Sequence, residues 1–235
     1  MKNLKRPTWL TFDCYGTLIQ WDEGLLAAAQ AILARRGDGR TDPATLIATY
    51  DRHEHALEQE RPHRLFRDVA GEGLRRAMVE LGLAFEPSDI EILTSRISAM
   101  PPFPEVVSAL AEMKRMGFRL CVISNADDDI IAGNIAQLGG AIDRVVTAEQ
   151  AKAYKPSRQI FDHAHRAIGV TNDDLIHICA SPHLDLVAAR DFGFRAIWVD
   201  RGTGRKRPPD YEPDAVFPTL DRVAEFLGTR EWETR

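Results

Sequence analysis

The stretch Leu10-Thr11-Phe12-Asp13-Cys14-Tyr15-Gly16-Thr17-Leu18 delivers a single carboxylate at the end of an apolar run and then breaks at once on Tyr-Gly-Thr. A carboxylate at the carboxyl end of a first strand, followed by a glycine turn, lies where open α/β sheets place their chemistry. Further polar groups follow other strand-like runs: Ser124-Asn125 after 118–123, Lys155-Pro156 after 144–147, and Asp185 within Cys179-Ala180-Ser181-Pro182-His183-Leu184-Asp185 after 175–180. Ser124, Asn125 and Asp127 are residue types that cap a following helix. The same strand-to-helix turn offers backbone amides to an anion.

The elements that must position these groups fall into two textures. Residues 21–99 read as helices only. Leu25, Leu26, Ala29, Ile32 and Leu33 recur at helical spacing up to Gly37, and Asp42-Pro43 starts a second helix running to about 60. A third covers 66–81 before Gly82, and a fourth starts at Pro87-Ser88. Beyond Pro101-Pro102-Phe103-Pro104, strands (118–123, 144–147, 175–180, 194–199, 215–217) alternate with helices, including 127–138, 157–168 and 185–191. Alternation of this kind implies right-handed βαβ crossovers and a parallel sheet. The expected architecture is α/β: a doubly wound, mostly parallel core of residues 1–20 and 103–235, with a helical cap, 21–102, inserted after the first strand.

Composition narrows the function classes. A net charge of −5, with 30 basic against 35 acidic residues, gives no support to nucleic-acid binding, which favours a basic domain. No apolar run approaches the length of a membrane span. The basic start Met1-Lys2-Asn3-Leu4-Lys5-Arg6-Pro7 leads into a strand-length segment ending on Asp13, so no signal peptide is read there. Three scattered cysteines, Cys14, Cys121 and Cys179, read as free buried thiols in a reducing, cytoplasmic setting. Cys14 packs as a small hydrophobe on this reading, with its place beside Asp13 making it a candidate lining residue.

The Phe-Asp-Cys-Tyr-Gly-Thr-Leu motif, the serine at 124, the Tyr154-Lys155-Pro156 segment and Asp185 resemble the haloacid dehalogenase-like hydrolases over essentially the whole chain. Tyr15 stands where phosphatases of that superfamily carry a second aspartate, and Ala180 where they carry an acid that helps to hold Mg²⁺. The 2-haloacid dehalogenase branch shares the tyrosine. The resemblance implies that Asp13 is a covalent nucleophile attacking carbon and that Lys155 reaches it and keeps it ionised. It further implies that Ser124 orients the target group and that Asp185, with Lys155, positions the hydrolytic water. Cys14, Tyr15, Thr17, Asn125 and His183 are expected to line the substrate, a small carboxylate. No cofactor is implied, Mg²⁺ entering only under a phosphatase alternative. A homodimer is implied by family analogy. The L-azetidine-2-carboxylate hydrolases, which open a ring at carbon, share a similar start including Trp21-Asp22. A catalytically lapsed binding scaffold is the alternative outside enzymes.

Leu57 falls near the place of the halide-cradle arginine of those dehalogenases, with Arg61, Arg64 and Arg67 as possible substitutes. His53, His55 and His63 lie in the cap without metal spacing and are given no functional role, and the basic loop 201–209 is read as a solvated surface loop.

Overall fold

Strands β1 (Trp9–Phe12), β2 (Arg119–Ser124), β3 (Arg144–Thr147), β4 (Leu175–Cys179), β5 (Ala196–Val199) and β6 (Ala215–Phe217) form one sheet in the order β3-β2-β1-β4-β5-β6. Every pairing is parallel, and in this computed structural model residues 5–232 are described. Residues 1–4, part of the basic start read above, and 233–235, assigned above to the core, lie outside the described residues. All four residues of β1 are buried, as a central strand covered on both faces requires.

Strand order reverses at β1. Connections on one side lead to β2 and β3, and on the other to β4, β5 and β6. Phe12 is in register with Val122 and Ile178, and the next amide, Asp13 N–H, donates to the Ile178 carbonyl at 3.0 Å. Asp13 therefore sits at the switch point, where the diverging loops leave a crevice.

Four consecutive helices separate β1 from the rest of the sheet: α1 (Trp21–Arg35), α2 (Pro43–Glu58), α3 (Phe66–Glu80) and α4 (Pro87–Ala99). Asp42 caps α2 by accepting from the Ala44 amide at 3.3 Å, with Pro43 in the first turn. The sheet's own helices are α5 (Val106–Arg115), α6 (Asp128–Ala136), the short α7 (Ala148–Ala151), α8 (Arg158–Ile168), α9 (Val187–Phe192) and α10 (Leu220–Thr229). Asp127, expected to cap its own helix, makes no side-chain cap there. Its buried carboxylate instead accepts from the Phe66 and Arg67 amides at 2.7 and 3.0 Å. An anion at the start of α3 satisfies free amides and the helix dipole together, and it fixes the helical segment on the sheet.

One expected helix is split. Residues 185–191 are not a single helix: a π-helical turn, Pro182–Leu186, carries Asp185 and precedes α9. Such wide turns are rare and occur mostly at functional sites. Cys14, Cys121 and Cys179 are buried free thiols. Among the described residues no helix is long and apolar enough to cross a membrane.

Candidate active site

Asp13 is 6 % exposed and held on both oxygens. Lys155 Nζ donates to Oδ1 at 2.7 Å, and Thr17 Oγ1 donates to Oδ2 at 2.6 Å. The loop returns Thr17 to this position because Gly16 adopts φ +79°, a conformation that L side chains rarely take. Thr17 Oγ1 also accepts from the Ala180 amide at 2.8 Å, tying the loop after β1 to the end of β4. Thr17→Val should cost about 1–3 kcal/mol, since it strands a buried amide and a carboxylate oxygen together. Chemical denaturation checks this, with Thr17→Ser retaining wild-type stability.

Behind Asp13 runs a buried chain of polar groups. Lys155 Nζ also donates to Asp185 Oδ1 at 2.9 Å, and the same oxygen pairs with His177 Nε2 at 2.9 Å. His177 Nδ1 in turn meets Thr11 Oγ1 at 2.8 Å. Burial alone would lower the Lys155 ammonium, but Asp13 and Asp185 outweigh it and the net shift is upward. For Asp185, burial is likewise outweighed, by Lys155 and His177, and its carboxyl lies below the usual range. Asp13 is pushed upward by burial, against the pull of Lys155 and Thr17. The ammonium is what keeps this desolvated carboxylate ionised.

The free edge of Asp13 opens into a cavity of about 170 Å³ that Tyr15, Ser124, Asn125, Lys155 and His183 also line. With roughly 30 Å³ per water in the liquid, that is room for a molecule of a few heavy atoms. Ser124 is 1 % exposed and its Oγ has no protein partner, so it is free to meet a ligand. Tyr15 presents its ring while its hydroxyl donates to Asn134 Oδ1 at 2.8 Å. Asn125 Oδ1 accepts from the Lys155 amide at 2.7 Å, and its Nδ2 donates to both Glu58 oxygens at 3.1 Å. It joins the lysine loop to α2.

Three expectations change. Cys14 does not line the cavity: its side chain is fully buried, and burial pushes its thiol up. Thr17 is likewise off the cavity and holds the nucleophile rather than the substrate. Asp185, expected with Lys155 to position the hydrolytic water, is completely buried, does not line the cavity, and bonds Lys155 and His177 instead.

The cavity also contains groups that the sequence reading passed over. Asp51, Glu54, His55 and Glu58 recur at i, i+3, i+4 and i+7 on α2 and all face it. That spacing was the available signal, masked because a charged stripe ordinarily faces water. His55, given no role above, lines the cavity from an exposed position and packs its ring against His183 at 5.1 Å. Arg205, from the loop expected to be solvated, lines the cavity and donates to Asp22 at 2.7 Å. None of Arg61, Arg64 and Arg67 lines it. Arg61 caps carbonyls at the end of α2, Arg64 bonds the Asp68 carbonyl, and Arg67 pairs with Asp129.

Desolvation governs the acidic stripe. Burial, then the neighbouring Asp51, pushes Glu54 up to about 8, and burial with Glu54 drives Glu58 well above its usual range. Burial and Asp22 raise Asp51 to about 6. Burial and His183 push His55 down to about 4. The raised Glu54 binds a proton more tightly folded than unfolded, so its stabilising share is present below pH 4.5 and lost as pH climbs through 8. Glu54→Gln should therefore raise the melting temperature relative to wild type at pH 8 and leave it nearly unchanged at pH 4.5, which paired thermal melts would show.

Magnesium does not suit these donors. It requires near-octahedral oxygen ligation. Both Asp13 oxygens and Asp185 Oδ1 are engaged within the protein, Ala180 offers no side-chain ligand, and only Asp185 Oδ2 is without a partner. Among the described residues, the one set of three His, Cys or carboxylate donors within 4.8 Å is His177, Cys179 and Asp185. There the His177 and Asp185 atoms bond each other, and burial holds the Cys179 thiol protonated.

The family model for haloacid dehalogenase-like hydrolases matches residues 8–193. The (S)-2-haloacid dehalogenase of Pseudomonas sp. (strain YL) is 24% identical over 229 residues, covering 94% of each chain. Haloacetate dehalogenase H-2 of Moraxella sp. (strain B) is 23% identical over 165 residues, 69% of this chain and 73% of that one. Among solved structures, the L-2-haloacid dehalogenase from Xanthobacter autotrophicus with chloropropionic acid covalently bound superposes with a TM-score of 0.81. It shares 19% identity, across 96% of this chain and 100% of that one.

Proposed function

The chain belongs to the haloacid dehalogenase-like hydrolases, and we propose that it displaces a leaving group from carbon in a small carboxylate through an ester on Asp13. The observation that carries this reading is the Asp13 carboxylate, fixed between the Lys155 ammonium and the Thr17 hydroxyl with an edge on a small cavity. A buried, desolvated anion held in one orientation is an activated nucleophile.

In the first step an Asp13 oxygen forms a bond to the substrate carbon, and the leaving group departs with its electron pair. In the second, water adds to the carbonyl carbon of the ester and loses a proton. The bond between that carbon and the ester oxygen then breaks. The product leaves as a hydroxy acid carrying an oxygen from Asp13, and the carboxylate is restored with an oxygen from water. Lys155 offsets the charge of Asp13 before attack and after release. Ser124 Oγ and the amides following Asp13 meet the substrate's anionic group. The helices of residues 21–102 act as the cap that closes over this step and limits water, and the working unit is a homodimer.

Neither step uses a metal, so EDTA should leave the rate unchanged. The purified protein is assayed on (S)-2-chloropropionate, fluoroacetate, L-azetidine-2-carboxylate and p-nitrophenyl phosphate, with EDTA and with Mg²⁺. Metal-independent release from one of the carboxylates is expected. Magnesium-dependent phosphate release alone would overturn the reading.

A further inference from the structure

The inside of α2 presents acid to the cavity in a place where a site for a purely anionic substrate needs positive charge. Glu54 and Glu58 are 5 % and 2 % exposed and both line the cavity. Among the described residues, neither has a Lys or Arg within ion-pair distance. The nearest ionic contact is His55 Nε2, 3.5 Å from Glu54, and that imidazole is pushed down to about 4 and so carries no charge near neutrality. Lys155 is committed to Asp13 and Asp185, and Arg205 to Asp22. Asn125 donates to Glu58 but brings no charge. The cavity therefore contains more carboxyl groups than cations, and without a counter-charge Glu54 and Glu58 meet the cost of burial by holding protons.

Glu54 and Glu58 hydrogen-bond each other as an acid pair, and one further observation points to a ligand beside them. Ser124 Oγ, buried and lining the same cavity, has no protein partner, so the space expects a polar molecule. Among the described residues, Asp51, Glu54 and Glu58 do not form a set of three donor atoms within 4.8 Å of one another.

We infer that the substrate of this site is a small carboxylate that also carries a protonated amine, its ammonium received by Glu54 and Glu58 and its carboxylate by the Ser124 side. This rests on the reading of Asp13 as nucleophile and adds the substrate class to it. An ammonium of two or three donors matches the two carboxyl groups and, as their counter-charge, draws them toward the ionised form. Burial first, then a neighbouring acid in each case, raises both carboxyls.

The test is calorimetric binding of two ligands of one shape, L-proline and cyclopentanecarboxylate, to the wild-type protein and to Glu54→Gln/Glu58→Gln. The ring ammonium is the difference between them. L-Proline is expected to bind at least about tenfold tighter to wild type, the scale of one charged hydrogen bond. The preference should vanish in the double variant, with cyclopentanecarboxylate affinity kept. Equal or weaker binding of L-proline, a preference that survives the double substitution, or saturable binding of neither ligand would overturn the inference. Wild type alone decides it should the variant fail to fold. Failure of the nucleophile reading looks different: the ammonium preference would stand while no Asp13-dependent turnover is found on any substrate.

Discussion

Asp13→Asn is expected to lower turnover by at least about 10⁴-fold while leaving the melting temperature within a few degrees of wild type, since an amide cannot act as the nucleophile. The size follows from the role. If the carboxylate forms the bond to carbon, no neighbour replaces it: Asp185 is fully buried behind Lys155, and Glu54 and Glu58 are held protonated by burial near neutral pH. The fold should persist because Asn keeps one oxygen to accept from Lys155 or Thr17 and has nearly the same volume. Activity within about tenfold of wild type would remove Asp13 from the chemistry.

Lys155→Met should damage both activity and stability. Its ammonium sits 2.7 Å from Asp13 and 2.9 Å from Asp185, with all three groups buried. Removing one partner of a buried ionic cluster strands the others, at a cost of about 3–5 kcal/mol. Turnover should fall about 10²–10³-fold, as it does when an electrostatic stabiliser is taken from an active site. The pH profile carries a signature that a purely structural role would not. Burial already raises the Asp13 carboxyl, and without the ammonium it rises further, so residual activity should move to higher pH, where the nucleophile is ionised. A near wild-type rate, or a profile unmoved in pH, would contradict this role. Denaturation midpoints and rates across pH measure both effects.

The parts of the site legible in the sequence are those that backbone geometry dictates. Asp13 and Ser124 stand at the ends of β1 and β2, and a parallel sheet brings such ends to one edge whatever the side chains around them. Lys155 was placed by its Tyr-Lys-Pro setting, and it does reach Asp13. What escaped depends on docking. The stripe Asp51, Glu54, His55 and Glu58 reads as a solvent face until α2 is seen facing the cavity, because helical periodicity gives a face but not its direction. Arg205 was hidden for a similar reason, a breaker-rich loop giving no sign that it folds back over the cavity. Asp185 was located correctly in sequence but lies deeper than expected, since the π-helical turn that aims it at His177 and Lys155 has no residue signature.

The most direct measurement is a single turnover with enzyme in excess, in water enriched in heavy oxygen, followed by mass analysis of the product and of the peptide containing Asp13. An ester on Asp13 predicts heavy oxygen in the Asp13 side chain and ordinary oxygen in the first product. Heavy oxygen in the product with an unlabelled Asp13 would mean that water attacks the substrate directly, and the account of this site would fail.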